Sequence, residues 1–107
     1  ATVTVAVTTG QKVLVTIATS CENTNPNKQC WMSFDATGGV TYTATGGTST
    51  VLNAVGSDAG VAAATSSHSS SWVLTATSTA NATFTAKFHR NANTATFHYN
   101  TIIVQVY

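Results

Sequence analysis

Apolar and polar residues alternate along most of this chain. In Thr2-Val3-Thr4-Val5-Ala6-Val7-Thr8 the valines fall on one side of an extended backbone and the threonines mostly on the other. Thr9-Gly10-Gln11 reads as a turn. Val13, Val15 and Ile17 then alternate with Leu14, Thr16 and Ala18, and these two stretches predict an antiparallel pair near a sheet edge. Cys30 to Ala36 is the next strand, with Cys30, Met32 and Phe34 on one face and Trp31, Ser33 and Asp35 on the other. Gly38-Gly39 turns the chain into a strand over Val40 to Ala44, and Gly46-Gly47 turns it again. Thr48 to Val55 is a weaker strand. The run from Gly56 to Gly60 reads as a loop, and so does the polar run Ser66 to Ser71. Gly60 to Ala64 fits a short strand or one turn of helix.

The last third alternates most regularly. Trp72, Leu74 and Ala76 oppose Val73, Thr75 and Thr77, while Phe84, Ala86 and Phe88 oppose Thr83, Thr85, Lys87 and His89. A turn at Asn91-Ala92-Asn93 leads to Ala95, Phe97 and Tyr99, opposed by Thr94, Thr96 and His98. Ile102, Val104 and Val106 then oppose Ile103, Gln105 and Tyr107. This end strand is apolar on one face and partly on the other, which predicts a central strand or one covered by a neighbouring subunit. Eight or more short strands at a spacing of roughly ten residues predict an all-β fold: an antiparallel β-sandwich, with jelly roll as the leading topology.

Composition narrows the class. The 107 residues allow one domain, taken as residues 1–107, with 22 Thr, 16 Ala and 10 Ser but only 3 Leu. Charged residues make up 7% and the formal net charge is +1, too little to neutralise a phosphate backbone, so nucleic-acid partners are not expected. With 43% hydrophobic residues the chain does not read as disordered. A surface so poor in charge suits a protein assembled into something larger or exposed outside cells. The longest apolar run, Val61 to Ala64, falls far short of a membrane span, and no signal peptide is evident. The chain starts at Ala1 without an initiator methionine, as a processed product or a fragment would.

Few residues carry chemistry. Cys21 and Cys30 flank the loop Glu-Asn-Thr-Asn-Pro-Asn-Lys-Gln, a spacing that makes no zinc site. They are read either as a disulfide, worth roughly 2–3 kcal/mol if unstrained, or as two free buried thiols. His89 and His98 flank the Asn91–Asn93 turn and would be cross-strand neighbours in a hairpin there. A metal would still need a third ligand, from Asp35, Asp58, Glu22 or a threefold axis, and surface or interface histidines are the simpler reading. No nucleophile elbow or phosphate loop is present, so no catalytic residue, metal or cofactor is expected. Trp31 and Trp72, with Tyr42 and Tyr99, could stack on sugar rings if they face outward; the other reading is that they fill the core or a subunit contact.

Four stretches together suggest a family. Cys30-Trp31-Met32-Ser33-Phe34 resembles a strand of small domains in tailed-bacteriophage virion proteins that commonly reads Cys-Tyr-Met-Ser-Phe. Ala82-Thr83-Phe84-Thr85-Ala86-Lys87-Phe88 resembles their Asn-Thr-Phe-Thr-Ala-Lys-Tyr strand. Thr94-Ala95-Thr96-Phe97 followed by Ile102-Ile103-Val104 is similar to their closing hairpin, and Thr9-Gly10-Gln11-Lys12-Val13-Leu14-Val15-Thr16 to their opening Thr-Gly-Thr-Lys-Ala-Leu-Val. The four occur in the family's order and span most of the chain. Asn100 and Thr101 stand where the family has a basic residue, Cys21 and its Asn-rich loop are outside the pattern, and Gly46 to Ser71 matches poorly.

The resemblance implies a C1q/TNF-like jelly roll that acts without catalysis on the virion surface. Such a domain would be a homotrimer that decorates the capsid or sits in a head or tail fibre. Its partners would be other copies of itself and the major capsid protein or a fibre stalk, with a host surface glycan as a further contact. Phe97, Tyr99, Ile103, Gln105 and Tyr107 are then the expected threefold contacts. A carbohydrate-binding or adhesin module is the alternative from the residues, followed by a bacterial pilus or surface-layer subunit.

Overall fold

A computed structural model of the chain describes residues 2–23, 29–44, 55–58, 65–90 and 95–107. These form seven strands and no helix: β1 (Thr2–Val7), β2 (Lys12–Asn23), β3 (Gln29–Gly38), β4 (Val55–Asp58), β5 (Thr65–Thr75), β6 (Ala80–Arg90) and β7 (Ala95–Val106). They make two sheets, ordered β1-β6-β3-β4 and β5-β2-β7, and every neighbouring pair is antiparallel. The two sheets pack face to face in a sandwich-like arrangement.

The alternation in the sequence explains the core. Val13, Val15 and Ile17 of β2 are fully buried, as are Met32 and Phe34 of β3 and Ala82 and Phe84 of β6. Each set occupies every second position, so one face of each strand enters the interior. Phe34 is the hub of an aromatic cluster. It stacks on Tyr42 with centroids 4.7 Å apart, meets Trp72 edge-on at 5.3 Å and lies 6.2 Å from Phe84. Offset and edge contacts of this kind favour the ring quadrupoles and fix how the two sheets align.

Three expectations about pairing are corrected. First, β1 and β2 do not pair; β1 lies beside β6 in one sheet and β2 between β5 and β7 in the other. The turn between them is pinned sideways. Gly10 donates its N–H to the Ala76 carbonyl at 2.9 Å, Ala76 donates to the Gln11 carbonyl at 2.9 Å, and Thr9 donates to Thr79 Oγ1 at 3.1 Å. Gly10 has a φ of 90°, which glycine adopts without steric cost. The valine faces of β1 and β2 therefore enter the core from opposite sheets, β1 across from β7 and β2 across from β3, where a hairpin would leave both needing a second layer.

Second, Val40 to Ala44 is not a full strand. It makes one bridge, in which Tyr42 and Ala36 exchange N–H to carbonyl bonds of 2.8 and 3.0 Å. Ala44 then gives its N–H to the Asp35 carboxylate at 2.7 Å, so the ladder stops. Third, β7 is an edge strand, not a central one. It also carries an irregularity. Ala18 pairs with Thr101 and Ser20 with His98, so β7 uses one residue more than β2 over this span.

Two segments read as loops are strands. The serine run belongs to β5, which pairs with β2 without a break from Lys12↔Thr75 to Glu22↔Thr65. An edge strand needs only one ladder, and the long β2 supplies it. Val55–Asp58 pairs with Gln29–Met32 despite its poor strand propensity. Positions 48–54 and 60–64 of the expected elements lie outside the described residues, as does the expected turn at 91–93. β6 and β7 join different sheets, so they do not form the expected hairpin.

Candidate assembly surface

The outward face of β5-β2-β7 departs from the polar rule that its sequence otherwise follows. The register places Val73, Leu14 and Gln105 in one row, Ser71, Thr16 and Ile103 in the next, and Ser69, Ala18 and Thr101 in a third. Val73 is 66% exposed, Ile103 51% and Tyr107 66%. The polar groups among them mostly satisfy one another. Thr16 and Ser71 hydroxyls share a hydrogen bond of 2.9 Å, and the Tyr107 hydroxyl donates to Gln105 Oε1 at 3.4 Å. None of these rows carries a charge; Lys12, at the end of the face, donates to Thr75 Oγ1 at 2.7 Å. The result is a nearly neutral surface with apolar side chains from three neighbouring strands, a composition suited to packing against another neutral surface.

The opposite outer face differs. On β1-β6-β3, Thr4 and Thr83 hydroxyls lie 3.2 Å apart, and Lys87 Nζ stands 3.6 Å from Asp35 Oδ2. Its described side chains present hydroxyls and an ion pair.

Ile103, Gln105 and Tyr107 share the outward face of β7, as their spacing predicts. Phe97 does not join them. The extra residue in β7 reverses the alternation, so Phe97 opposes Cys21 while Ile102 opposes the buried Ile17. The Phe97 ring packs on Phe88 of the other sheet, with centroids 4.7 Å apart. Trp72 likewise does not face outward. It is half-buried against the core and meets Phe34 and Tyr42 between the sheets. The side chains of Trp31 and Tyr99 lie outside the described residues. So do those of Cys21 and Cys30, whose strands β2 and β3 stand in different sheets.

His89 pairs with Trp31 and His98 with Ser20, so the two histidines are not the cross-strand neighbours expected of a hairpin. No group of three or more metal-ligating side chains occurs among the described residues. Among the described residues no helix is long and apolar enough to cross a membrane.

Sequence reasoning missed Leu14 and Val73 as members of the surface. Their signal was present, because both are apolar at outward positions otherwise filled by Thr and Ser. Only the strand order makes them neighbours of Ile103.

A scan against protein-family models finds no match, and searches of the curated proteins and of the solved structures find none.

Proposed function

We propose that this chain is a non-enzymatic structural domain of a bacteriophage virion surface, a capsid-decoration or fibre domain that works as a homotrimer. The observation that carries the assembly part is the outward face of β5-β2-β7, where Val73, Ile103 and Tyr107 are exposed on a nearly neutral surface. The end strand, apolar on one face and partly on the other, lies at a sheet edge, which supports its being covered by a neighbouring subunit. The virion assignment rests on the four ordered sequence motifs.

A jelly roll sets its first strand beside its last and then its third, and sets its second beside its penultimate. β1-β6-β3 and β2-β5 match that arrangement only when β7 is counted as an addition to it, since β7, the last strand, lies beside β2 and not beside β1. In the trimer, the β7 face of each copy packs on its neighbour. The threonine-rich face of the other sheet stays in water, where its hydroxyls and the Asp35–Lys87 pair are hydrated. Its partners in the particle are the major capsid protein or a fibre stalk.

Light scattering at micromolar concentration tests the reading. Three chains of 11.0 kDa give about 33 kDa. Ile103→Lys puts a desolvated charge into the contact and should remove the three-chain species, with the unfolding midpoint of the monomer unchanged because Ile103 lies outside the core. A monomer at every concentration, or a trimer indifferent to this change, overturns the trimer. Binding of the trimer to capsid lattices then tests the virion role.

A further inference from the structure

Most of the few charges of this chain lie away from its sheet edges. Lys12 and Glu22 lie on β2, Asp35 on β3, and Lys87 and Arg90 on β6, all strands flanked on both sides. Of the edge strands, β4 is only four residues long and carries Asp58, whereas β1, β5 and β7 carry no Lys, Arg, Asp or Glu. Natural sheets guard an exposed edge with charge, proline, a bulge or shortness, because its free N–H and carbonyl groups template another strand. β7 has an irregularity, and most of β5 is serine-rich and of low strand propensity. β1 reads Thr-Val-Thr-Val-Ala-Val and has none of these guards. Among the described residues only β6 pairs with it, so its other edge has no ladder partner.

We infer that β1 is a strand-addition site whose occupant is β1 of a second copy of this chain. The sequence is self-complementary under a twofold axis. With the axis at Thr4, Val3 faces Val5 of the other copy and Thr2 faces Ala6, so apolar and polar faces both stay continuous. A slip of one residue would set valines against threonines on every face. The inward-facing Val3 and Val5 are only half-buried, because nothing described covers the edge beside them, whereas Val7 is already buried. The axis at Thr4 covers both half-buried valines in both copies. The product is a continuous antiparallel sheet of two four-stranded halves, an isologous contact. It uses the sheet opposite the trimer face, so it would link neighbouring assemblies and does not depend on Ile103 or Tyr107.

Thr4 gives the test, since it is exposed, points outward and holds only a surface hydrogen bond to Thr83. Thr4→Lys sets two ammonium groups against each other at the axis, which should weaken the association by about a hundredfold. The measurement is sedimentation velocity over a concentration series in the Ile103→Lys background, where the trimer contact is removed. The expected result is a monomer–dimer equilibrium that Thr4→Lys abolishes and that an equal mixture of Thr4→Lys and Thr4→Glu copies restores. Hydrogen exchange on the unchanged Thr2–Val7 segment should slow as the dimer forms. A chain that stays monomeric throughout, a dimer indifferent to Thr4→Lys, or a mixture that fails to pair overturns the inference, as does a dimer whose β1 exchange is unprotected. If the dimer survives while Ile103→Lys has no effect on the wild-type mass, the trimer fails and this contact stands.

Discussion

Removing the Phe34 ring tests whether the aromatic hub sets the stability of the fold. Phe34 is fully buried, and three other rings lie within 6.2 Å of its centroid: Tyr42, Trp72 and Phe84. Truncating a buried phenylalanine to alanine costs about 3–5 kcal/mol in lost transfer energy and cavity. The cluster pushes Phe34→Ala to the upper end, since each favourable ring pair adds about 0.5–1.5 kcal/mol beyond burial. Small domains hold about 5–15 kcal/mol in total, so the variant should keep only a fraction of its stability. With a urea slope of about 2 kcal/mol per molar, the midpoint should fall by about 2 M. The assay is urea unfolding followed by tryptophan fluorescence, because Trp72 touches the site directly. Both proteins must be compared at one concentration, since assembly would add to the apparent stability. Phe34→Leu keeps most of the volume and should lose far less. A loss below about 1 kcal/mol for Phe34→Ala would refute the hub, because it would mean that the sheets align without it.

Two further outcomes follow from the backbone and the Asp35–Lys87 ion pair. Gly38→Ala should destabilise the domain by about 2 kcal/mol or more, since φ is 86° there and the new methyl group would meet the Asn81 carbonyl oxygen; thermal unfolding reads it, and a neutral result would exclude the tight β3–β6 approach. Asp35→Ala should cost clearly more than Lys87→Ala, because the Asp35 carboxylate also accepts the Ala44 N–H at 2.7 Å, while the 3.6 Å ion pair alone, with Lys87 53% exposed, is worth less than about 1 kcal/mol; equal losses in urea unfolding would contradict the tether.

The alternation exposes β1, β2, β3, β6 and the end of β7 in the sequence, because each buries one face and a period of two leaves a mark. It does not name partners. A strand with one apolar face is equally suited to a hairpin or to the facing sheet, and β1 with β2 took the second course. The serine half of β5 left no mark, since an edge strand held by one ladder needs no apolar face there. β4 left none because backbone pairing to β3 outweighs the poor propensity of Gly56 and Asp58. The site was legible to the same degree. Ile103, Gln105 and Tyr107 share a face by simple counting. Counting fails at Phe97 because the extra residue in β7 shifts the phase by one, and it left two readings open at Trp72 because alternation separates two faces without saying which one is inside.

The placement of charge links these local facts to assembly. A domain with 7% charged residues has little electrostatic repulsion to keep copies apart. Its seven charges could still guard the edges, yet β1, β5 and β7 have none. The outward threonines of β1 hydrate the edge without blocking it, since a hydroxyl and a methyl group both fit a neighbouring strand and a lysine does not. Leu14, Val73 and Ile103 do for one face what the bare backbone does for the β1 edge: each is costly in water and complementary to another neutral surface. An isolated monomer with such surfaces would have poor protection against aggregation. The same surfaces are consistent with a subunit whose neutral face and unguarded edge are both consumed by neighbours, with contacts selected by shape and strand register more than by charge.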